Sequence, residues 1–436
     1  MSVETESSEV DFDVIVVGAG VAGCVTAYQL ANQGHSVLLA ERGPTPGSKN
    51  LSGGVFYCRV MEEIMPDFLT EAPIERRVTR NCLSFLSPTS FVNVDYSDQR
   101  LSDPVNAVTV LRARLDEWLA AKCEEAGAML MPGVKVDSLL RDGDRFVGIK
   151  AGDDELRCRV VVAADGVNSF ICQDAGIRAK EPAKHLAVGV KSVIGLPSEV
   201  IEERFHLAQG EGAAYAVVGD CTKGIAGGGF LYTNTDSISI GVVLRLDDLA
   251  ARGESSSEVH DAFVNHPAVE RLLKGGELLE YGCHLVAEGG KAMVHDLTRP
   301  GLVVVGDAAG FTLNTGFTVR GMDLAAGSGI AAAKAIDGAL KAGDVSQARL
   351  DAYGAELGRT FVGRDMDTFA KAPAFMESPR LYRDYGLLLS DVLHGIYDLD
   401  TTPRKRLLST AWGAFKKSPL TLVQLVKDAP AALRGV

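Results

Sequence analysis

Three glycines and an acidic residue near the start of the chain have the types and spacing of a dinucleotide-binding site. Gly18, Gly20 and Gly23 follow one apolar segment, and Glu41 ends the next. Glycines at this spacing allow a tight turn, let the backbone approach a pyrophosphate and let the following helix pack closely on its strand. The pyrophosphate would lie at the helix N-terminus, where free N–H groups favour an anion, and Glu41 would accept hydrogen bonds from a ribose. The expected chemistry is the binding of NAD or FAD.

A strand, a helix and a second strand must position these residues, and the sequence predicts all three. Phe12–Val17 is an apolar, β-branched run typical of a buried parallel strand. Residues 24–33 have helical spacing, Gly34 can end that helix, and residues 35–40 predict the second strand. Glycine spacing alone is weak evidence, but the complete βαβ context accompanies it here.

Two later predicted strands also end in an acidic residue beside a glycine. A strand at residues 156–163 runs into Asp165 and Gly166, and a strand at residues 302–305 runs into Gly306 and Asp307. Between the first βαβ unit and Asp165, a helix is predicted at 115–126 and strands at 129–139 and 145–150. The dinucleotide fold is therefore expected to be interrupted, closing near residue 340 and enclosing other material.

The enclosed material has the alternating pattern of an antiparallel sheet. Residues 186–193 alternate, and residues 227–232 and 237–244 predict a hairpin. A helix of small residues is predicted over Met322–Lys341, and the pattern is helical from residue 346 onward. The predicted divisions are a nucleotide-binding first part, an inserted sheet domain, a nucleotide-binding second part and a helical C-terminal region, at residues 1–183, 184–290, 291–345 and 346–436.

The composition is that of an ordinary globular chain of 436 residues with a formal net charge of −13. Such an acidic chain is a poor nucleic-acid binder, because phosphate contacts need clustered positive charge. The eight cysteines are never closer than 14 residues, so they form no local metal or iron–sulfur motif and predict reduced thiols. There is no apolar run of about 18 residues, and the N-terminus is acidic, unlike a signal peptide. A cytoplasmic protein without a metal site is expected.

The three acidic and glycine motifs together resemble those of the flavoproteins of the glutathione reductase and hydroxylase type. More narrowly, the segments at residues 48–54, 284–290 and 314–324 are similar to motifs of the electron-transfer-flavoprotein:quinone oxidoreductases, and they point to the FixC branch. The resemblance runs from about residue 13 to residue 341. It implies an α/β fold of the glutathione-reductase/hydroxylase FAD-binding type, interrupted by an antiparallel-sheet domain and followed by a helical C-terminal region.

The resemblance also implies which residues hold FAD. Asn50, Ser52, Gly53 and Gly54 would lie along the isoalloxazine ring, and the N–H groups of residues 316–318 would face its N1/O2 side. No catalytic side chain is assigned, because the flavin carries out the redox chemistry. The full expected set is Gly18, Gly20, Gly23, Glu41, Arg42, Asn50, Ser52, Gly53, Gly54, Arg112, Val136, Asp165, Gly166, Gly306, Asp307, Gly310, Gly316, Phe317 and Thr318.

The family resemblance implies partners as well. Electrons would arrive from a two-subunit electron-transfer flavoprotein and leave to menaquinone or ubiquinone, and relatives also serve NADH-driven electron bifurcation as the high-potential branch. Full-length mitochondrial-type members carry a cysteine-ligated [4Fe–4S] domain near the C-terminus, whereas the last cysteine here is Cys283. A separate ferredoxin-like [4Fe–4S] subunit, similar to FixX, is therefore expected.

The C-terminal region adds an independent indication. Residues 404–436 contain seven basic residues and a single acid, Asp428, and Leu408, Trp412 and Phe415 fall on one helical face. A basic helix with an aromatic apolar face suits an anionic membrane surface, which predicts peripheral association with the inner face of the cell membrane. The alternative, a helix docked on the core or on a partner, stays open.

Two other functions stay open at this stage. A geranylgeranyl-reductase-like or hydroxylase-like flavoenzyme shares the same glycine and acidic motifs, and in it NAD(P)H alone would reduce the flavin. A subunit that only assembles a complex on the membrane would purify without flavin, against which the intact glycine motifs argue. His206, His260 and His266 are expected to be surface residues or hydrogen-bonded core residues, while His284 lies inside a family motif and is a candidate neighbour of the cofactor.

Overall fold

The computed structural model describes residues 10–50 and 53–435. The first part of the chain contains these elements: β1 (Phe12–Val17), α1 (Val21–Asn32), β2 (Val37–Glu41), β3 (Gly54–Phe56), α2 (Arg59–Glu62), α3 (Phe68–Glu71), β4 (Ile74–Leu86), β5 (Phe91–Ser97), β6 (Val108–Val110), α4 (Arg112–Glu125), β7 (Met129–Pro132), β8 (Ser138–Asp142), β9 (Arg145–Ala151), β10 (Asp154–Ala163) and α5 (Phe170–Asp174).

The middle of the chain alternates long strands with short helices. Its elements are β11 (Leu186–Gly195), α6 (Ser198–Phe205), β12 (Glu211–Gly219), β13 (Gly227–Thr233), β14 (Ser237–Arg245), α7 (Leu246–Arg252), α8 (Ser256–Val264), α9 (Pro267–Leu273) and β15 (Glu277–Ala287).

The last part is mainly helical. It contains β16 (Thr298–Arg299), β17 (Leu302–Val304), β18 (Leu313–Asn314), β19 (Val319–Arg320), α10 (Met322–Lys341), α11 (Gln347–Leu350), α12 (Ala352–Leu357), α13 (Phe361–Thr368), α14 (Ala372–Met376), α15 (Pro379–Arg383), α16 (Tyr385–Tyr397), α17 (Leu407–Lys417) and α18 (Leu422–Gly435).

The central layer is a mainly parallel sheet that joins distant parts of the chain, with β16 antiparallel at its edge. Its strand order is β16-β17-β10-β1-β2-β7, and β1 pairs in parallel with both β2 and β10. Strand β17 returns beside β10, where Val162 lies opposite Val303. The β-branched residues of β1 are fully buried because helices cover both faces of such a sheet. The interrupted nucleotide fold expected from the sequence is confirmed, and it brings the ends of β1, β10 and β17 together.

The second layer is a mixed sheet with the order β15-β11-β14-β13-β12-β4-β6-β3. The predicted hairpin is present as β13 and β14, with Phe230 opposite Gly241. Strands β3, β4, β5 and β6, from the stretch between residues 54 and 110, also join this sheet and were not predicted. The sequence-based division at residues 183, 290 and 345 stays a prediction.

Small residues let the helices approach closely under the parallel sheet. A Cβ on Gly329 of α10 would lie 2.8 Å from the carbonyl oxygen of Ala22 in α1, so the glycine is needed for this contact. The predicted strand at 129–139 is divided into β7 and β8, because Gly133 turns the chain with a φ of +76°. No helix among the described residues is long and apolar enough to cross a membrane. Seven of the eight cysteines are buried, and Cys283 is exposed.

Candidate cofactor site

One cavity of about 850 Å³ lies between the C-terminal ends of the parallel strands and the second sheet. Its size is in the range of sites for small molecules and cofactors. Of the predicted site residues, those that line it are Gly18, Gly20, Glu41, Arg42, Asn50, Gly53, Gly54, Arg112, Val136, Asp165, Gly166, Asp307 and Gly316. The cavity is not lined by Gly23, Gly306, Gly310, Phe317 or Thr318, and Ser52 lies outside the described residues.

The glycine turn after β1 has the shape that a pyrophosphate requires. Gly18 has a φ of +105°, and a Cβ there would lie 2.4 Å from the carbonyl oxygen of Ala164. A Cβ on Gly23 would lie 1.9 Å from the carbonyl oxygen of Gly18. At Gly20, by contrast, the nearest atom to such a Cβ is a guanidinium nitrogen of Arg112 at 3.8 Å. Gly18 and Gly23 are therefore needed for close packing, whereas Gly20 leaves an open face toward the cavity.

Arg112 supplies positive charge above this open face. Its Nε and Nη2 donate to the two carboxylate oxygens of Asp116 at 2.7 Å each, and Asp116 is fully buried. The side-chain amide of Asn50 also donates to Asp116, at 2.6 Å. The pair fixes the guanidinium beside Gly20 and joins the loop after β2 to α4. A fixed cation at a helix N-terminus favours a bound phosphate.

Glu41 holds the glycine turn in place from the end of β2. Its carboxylate accepts hydrogen bonds from the N–H groups of Ala19, at 2.9 Å, and Gly43, at 2.6 Å. The carboxylate also lines the cavity. It therefore has the position that a ribose-binding acid requires at the second strand of a dinucleotide fold.

The acidic residues after β10 and β17 both face the cavity. Asp165 accepts one hydrogen bond from the Ile171 N–H, its second carboxylate oxygen has no partner among the described residues, and burial raises its pKa to about 6. Burial also raises the pKa of Asp307, although the charge of Arg112 opposes this. A buried polar atom without a partner is costly. Hydroxyl groups of a ribityl or ribose moiety would satisfy these carboxyl groups, so the residues present fit FAD.

A buried lysine that sequence reasoning missed contacts the expected ring-binding loop. Lys191 of β11 is 1% exposed, and its ammonium donates to the carbonyl oxygen of Gly53 at 3.0 Å. Burial lowers the pKa of Lys191 to about 7. Gly53 has a φ of +81°, and a Cβ there would lie 2.3 Å from Ser239 Oγ. The signal was available, because Lys191 is the single charged residue in a strand that is apolar apart from Ser192.

The loop at residues 314–318 makes more internal hydrogen bonds than predicted. The N–H of Gly316 donates to Asn314 Oδ1 at 2.8 Å, and the N–H of Thr318 donates to Thr315 Oγ1 at 3.2 Å. Within the described part of the chain, only the Phe317 N–H of these three has no partner. The sequence predicted that the N–H groups of residues 316–318 would all face the ring. Two of them are used inside the loop, so only the N–H of Phe317, whose side chain is exposed, is left for that role among the described residues.

Asn314 also contacts an acidic residue in the cavity wall. Its side-chain amide donates to Glu288 Oε2 at 3.2 Å, and Glu288 lines the cavity. Burial raises the pKa of Glu288 to about 7, against the opposing effects of the Asn314 hydrogen bond and the charge of Arg245. Glu288 lies in the segment at residues 284–290 that resembles a family motif, but the sequence predicts no role for it.

A cluster of charged residues supports the turn after β17 from behind. Arg178 is buried and donates to the carbonyl oxygen of Ala308 and, at 3.0 Å, to Glu181. His295 and His185 contact the same carboxylate at 2.6 Å and 3.1 Å. Burial alone would raise the pKa of Glu181, but these hydrogen bonds outweigh it and the pKa is lowered. The cluster therefore fixes the backbone beside Asp307, and sequence spacing gave no indication of it.

The histidines are distributed largely as predicted. His260 and His266 are buried in the second sheet's core, where His260 contacts Ser192 Oγ at 3.3 Å and His266 donates to the carbonyl oxygen of Ser87 at 2.9 Å. His284 lines the cavity. The first two are thus structural, and His284 lies where a cofactor neighbour would be.

Comparisons with known proteins agree with this geometry. A family model described as an FAD binding domain matches residues 11–214. The probable electron transfer flavoprotein-quinone oxidoreductase YdiS of Escherichia coli strain K12 is 46% identical over 422 residues, which cover 97% of this chain and 98% of that protein. The protein FixC of the same strain is 41% identical over 430 residues, which cover 98% of this chain and 99% of FixC.

Solved structures support the fold. A geranylgeranyl bacteriochlorophyll reductase-like protein from Thermoplasma acidophilum has a TM-score of 0.71 at 20% sequence identity, with 96% of this chain and 98% of that protein covered. This likeness shows the fold alone, whereas the family match and the full-length relatives confirm FAD as the cofactor. The chain is an FAD-dependent oxidoreductase and belongs to the FixC branch of the electron-transfer-flavoprotein:quinone oxidoreductase family.

Proposed function

We propose that this protein passes electrons from an electron-transfer flavoprotein, through its FAD, to a quinone in the membrane. The names of its relatives supply the donor and the acceptor. The observation that carries the proposal is that the cofactor cavity is separated by only one short helix, α14, from an exposed apolar surface at the C-terminal end of the chain.

The exposed apolar side chains of α17 and α18 are here together called the terminal apolar surface. Large apolar side chains are usually buried, and several neighbouring ones left exposed mark an interaction site. Trp412 is 47% exposed and Leu408 is 84% exposed. The exposed apolar members of the surface are Leu407, Leu408, Trp412, Leu422, Val423 and Val426.

Basic residues border this surface and favour a lipid bilayer as its partner. They are exposed, and they are Arg404, Lys405, Arg406, Lys416, Lys417 and Lys427. Each basic residue near an anionic leaflet contributes about 1 kcal/mol of attraction. Apolar side chains that enter the interface add to this. Because the remainder of the chain is strongly acidic, the basic surface would also orient the protein on the membrane. We place it at the inner face of the cell membrane, where anionic lipids are found.

Helix α14 connects this surface to the cavity. Met376, at the end of α14, lines the cavity, and its sulfur lies 3.2 Å from where a Cβ on Gly316 would be. On its other side α14 packs against α18. Arg380 donates to both carboxylate oxygens of Asp428 at 2.6 Å, which fixes α18 in this position. A quinone ring leaving the bilayer at the terminal apolar surface would thus enter the cavity beside Met376.

The protein's own residues bind and orient rather than react. Bound FAD supplies the electron transfer. The glycine turn, Arg112 and the carboxyl groups of Asp165 and Asp307 bind its polar half, and Gly53, Gly54 and the loop at residues 314–318 hold the ring end. No step needs a nucleophilic side chain.

An iron–sulfur partner is part of the same proposal. No group of three metal-ligating side chains occurs among the described residues. We therefore assign the [4Fe–4S] cluster to a separate ferredoxin-like subunit similar to FixX, with the two-subunit electron-transfer flavoprotein as donor. In a bifurcating complex this chain would serve the high-potential branch.

The proposal is tested by supplying donor and acceptor together. The FAD-loaded protein is mixed with enzymatically reduced electron-transfer flavoprotein and menaquinone or ubiquinone in anionic liposomes, with and without the ferredoxin-like subunit. We expect quinol formation that stops when this protein is omitted. Turnover of a prenyl or aromatic compound with NAD(P)H alone, and no quinol, would instead support the reductase or hydroxylase alternative.

A further inference from the structure

Glu288 is an acidic side chain in the cavity wall for which the binding of FAD gives no reason. It follows β15, and its Oε2 accepts the 3.2 Å hydrogen bond from the amide of Asn314. Asn314 in turn accepts from the N–H of Gly316. A single chain of hydrogen bonds therefore joins the carboxyl group to the loop at the ring end of the site.

Glu288 forms no salt bridge with any of the described residues, and the charged and titratable groups around it have other partners. The charge of Arg245 acts on Glu288, but the Nε of Arg245 donates to Asp247 at 2.6 Å. The hydroxyl of Tyr382 donates to the carbonyl oxygen of Met376 at 2.5 Å, and His284 contacts the carbonyl oxygen of Leu285. With no cation bound to it, the carboxyl group has no partner that holds it permanently ionised.

We propose that Glu288 takes up a proton when the bound FAD is reduced, and releases it when the electrons leave. The inference rests on the placement of the ring proposed above, but not on the identity of the electron donor or acceptor. Added negative charge on the ring disfavours a nearby carboxylate and favours its neutral form. The pKa of Glu288, about 7 without the cofactor, would then rise further on reduction.

The proton balance follows directly. Two electrons and one proton convert the oxidised ring to its anionic reduced form, and one further proton converts the Glu288 carboxylate to the acid. Two protons therefore enter per two electrons, and two protons are what a quinone needs to become a quinol. Below about pH 7 Glu288 is already protonated, so the second proton is taken up only above that pH.

The test is a spectroelectrochemical titration of the FAD-loaded protein between about pH 6 and about pH 9. In the native protein, between about pH 7 and the higher pKa that Glu288 has when the ring is reduced, the equilibrium constant for two-electron reduction should change hundredfold per pH unit. Uptake of one proton alone gives a tenfold change, or about 30 mV. In Glu288→Gln it should change tenfold throughout. Glu277→Gln, an exposed acid at the start of β15, is the matched control and should behave as the native protein does.

A second measurement needs no variant. In the reduced-minus-oxidised infrared spectrum of the native protein at about pH 8, a protonated carboxylic acid band should appear on reduction. Electrons come from the electrode in both experiments, so a failure of the flavoprotein-to-quinone assay leaves them unaffected. An equal tenfold dependence in the native protein and Glu288→Gln, or a native spectrum without the acid band, overturns the proposal.

Discussion

Arg112 bonds both carboxylate oxygens of the fully buried Asp116, at 2.7 Å each, and this pair holds the guanidinium beside the open face of Gly20. The guanidinium is thus fixed before any ligand binds. Bidentate pairs of this kind give geometric specificity as well as energy. Beside the open face of Gly20, the pair provides a fixed positive charge of the kind that a pyrophosphate requires.

Replacing Arg112 should therefore weaken FAD binding. Charge-assisted hydrogen bonds contribute about 1.5–3 kcal/mol, so we expect Arg112→Ala to bind FAD roughly ten- to a hundredfold more weakly. It should also lower the melting temperature, because Asp116 is left buried without its cation. Arg114→Ala is the control: that side chain is 60% exposed and contacts Glu75, so FAD affinity should hardly change. Isothermal titration of each apo-protein variant with FAD measures the affinity. Equal affinities for the two variants would contradict the role given to Arg112.

Gly23 should tolerate no side chain. In Gly23→Ala the new Cβ would lie 1.9 Å from the carbonyl oxygen of Gly18 and would push apart the turn and α1. We expect loss of bound flavin and a free energy of unfolding lower by a few kcal/mol. Gly354→Ala, in α12 with open space around it, should instead be neutral or stabilising by about 0.5–1 kcal/mol. Urea unfolding and the flavin absorbance of the purified variants provide the comparison.

The terminal apolar surface should determine binding to lipid. Leu408→Glu combined with Trp412→Glu should reduce binding to anionic vesicles by tenfold or more, since burial of each side chain contributes about 1.5–3 kcal/mol. Val94→Glu, an equally simple change at a 56% exposed valine of β5, should leave binding unchanged. Vesicle flotation at low and high salt measures the effect. Undiminished vesicle binding by the double variant would contradict the membrane assignment and favour the alternative that this surface contacts a protein partner.

Lys191 should make the stability of the apo-protein depend on pH in the alkaline range. Its pKa is about 7 when folded, against 10.5 in the unfolded chain, so the unfolded state binds more protons between these values. Stability should then rise with pH from about 7 toward 10.5, by up to a few kcal/mol. Lys191→Met should lose this rise and be the more stable protein near neutral pH. Lys150→Met, at an exposed position of β9, should retain it, and parallel profiles for both variants would refute the assignment.

The sequence was sufficient for the regular parts of the cofactor fold. The βαβ unit and the bounds of α10 follow from apolar periodicity and glycine placement, which are local signals. Strand β4 was missed because it carries charged residues such as Arg76. In the structure Arg76 is buried, and its charge is met by Glu202, at 2.8 Å, in a helix more than a hundred residues later.

The cofactor site shows the same contrast between features that a local sequence motif predicts and features that depend on distant residues. The glycine turn, Glu41 and the two acidic strand ends were predictable because each lies in a short motif. Lys191, Arg178 and Glu288 were not assigned, because their roles depend on which loops the two sheets bring to the cavity. The role of the loop at residues 314–318 in holding the ring stays a prediction. Its internal hydrogen bonds arise from the Asn314 and Thr315 side chains, whose orientation the sequence pattern does not reveal.

The most direct test of the proposed electron path is an anaerobic visible spectrum of the purified FAD-loaded protein. NADH is added first, and reduced electron-transfer flavoprotein, with the ferredoxin-like subunit, is added second. We predict that NADH leaves the flavin absorbance unchanged and that the reduced flavoprotein bleaches it. Rapid bleaching by NADH alone, or no bleaching by the reduced flavoprotein, would contradict the proposal that this protein relays electrons from one flavoprotein to a quinone.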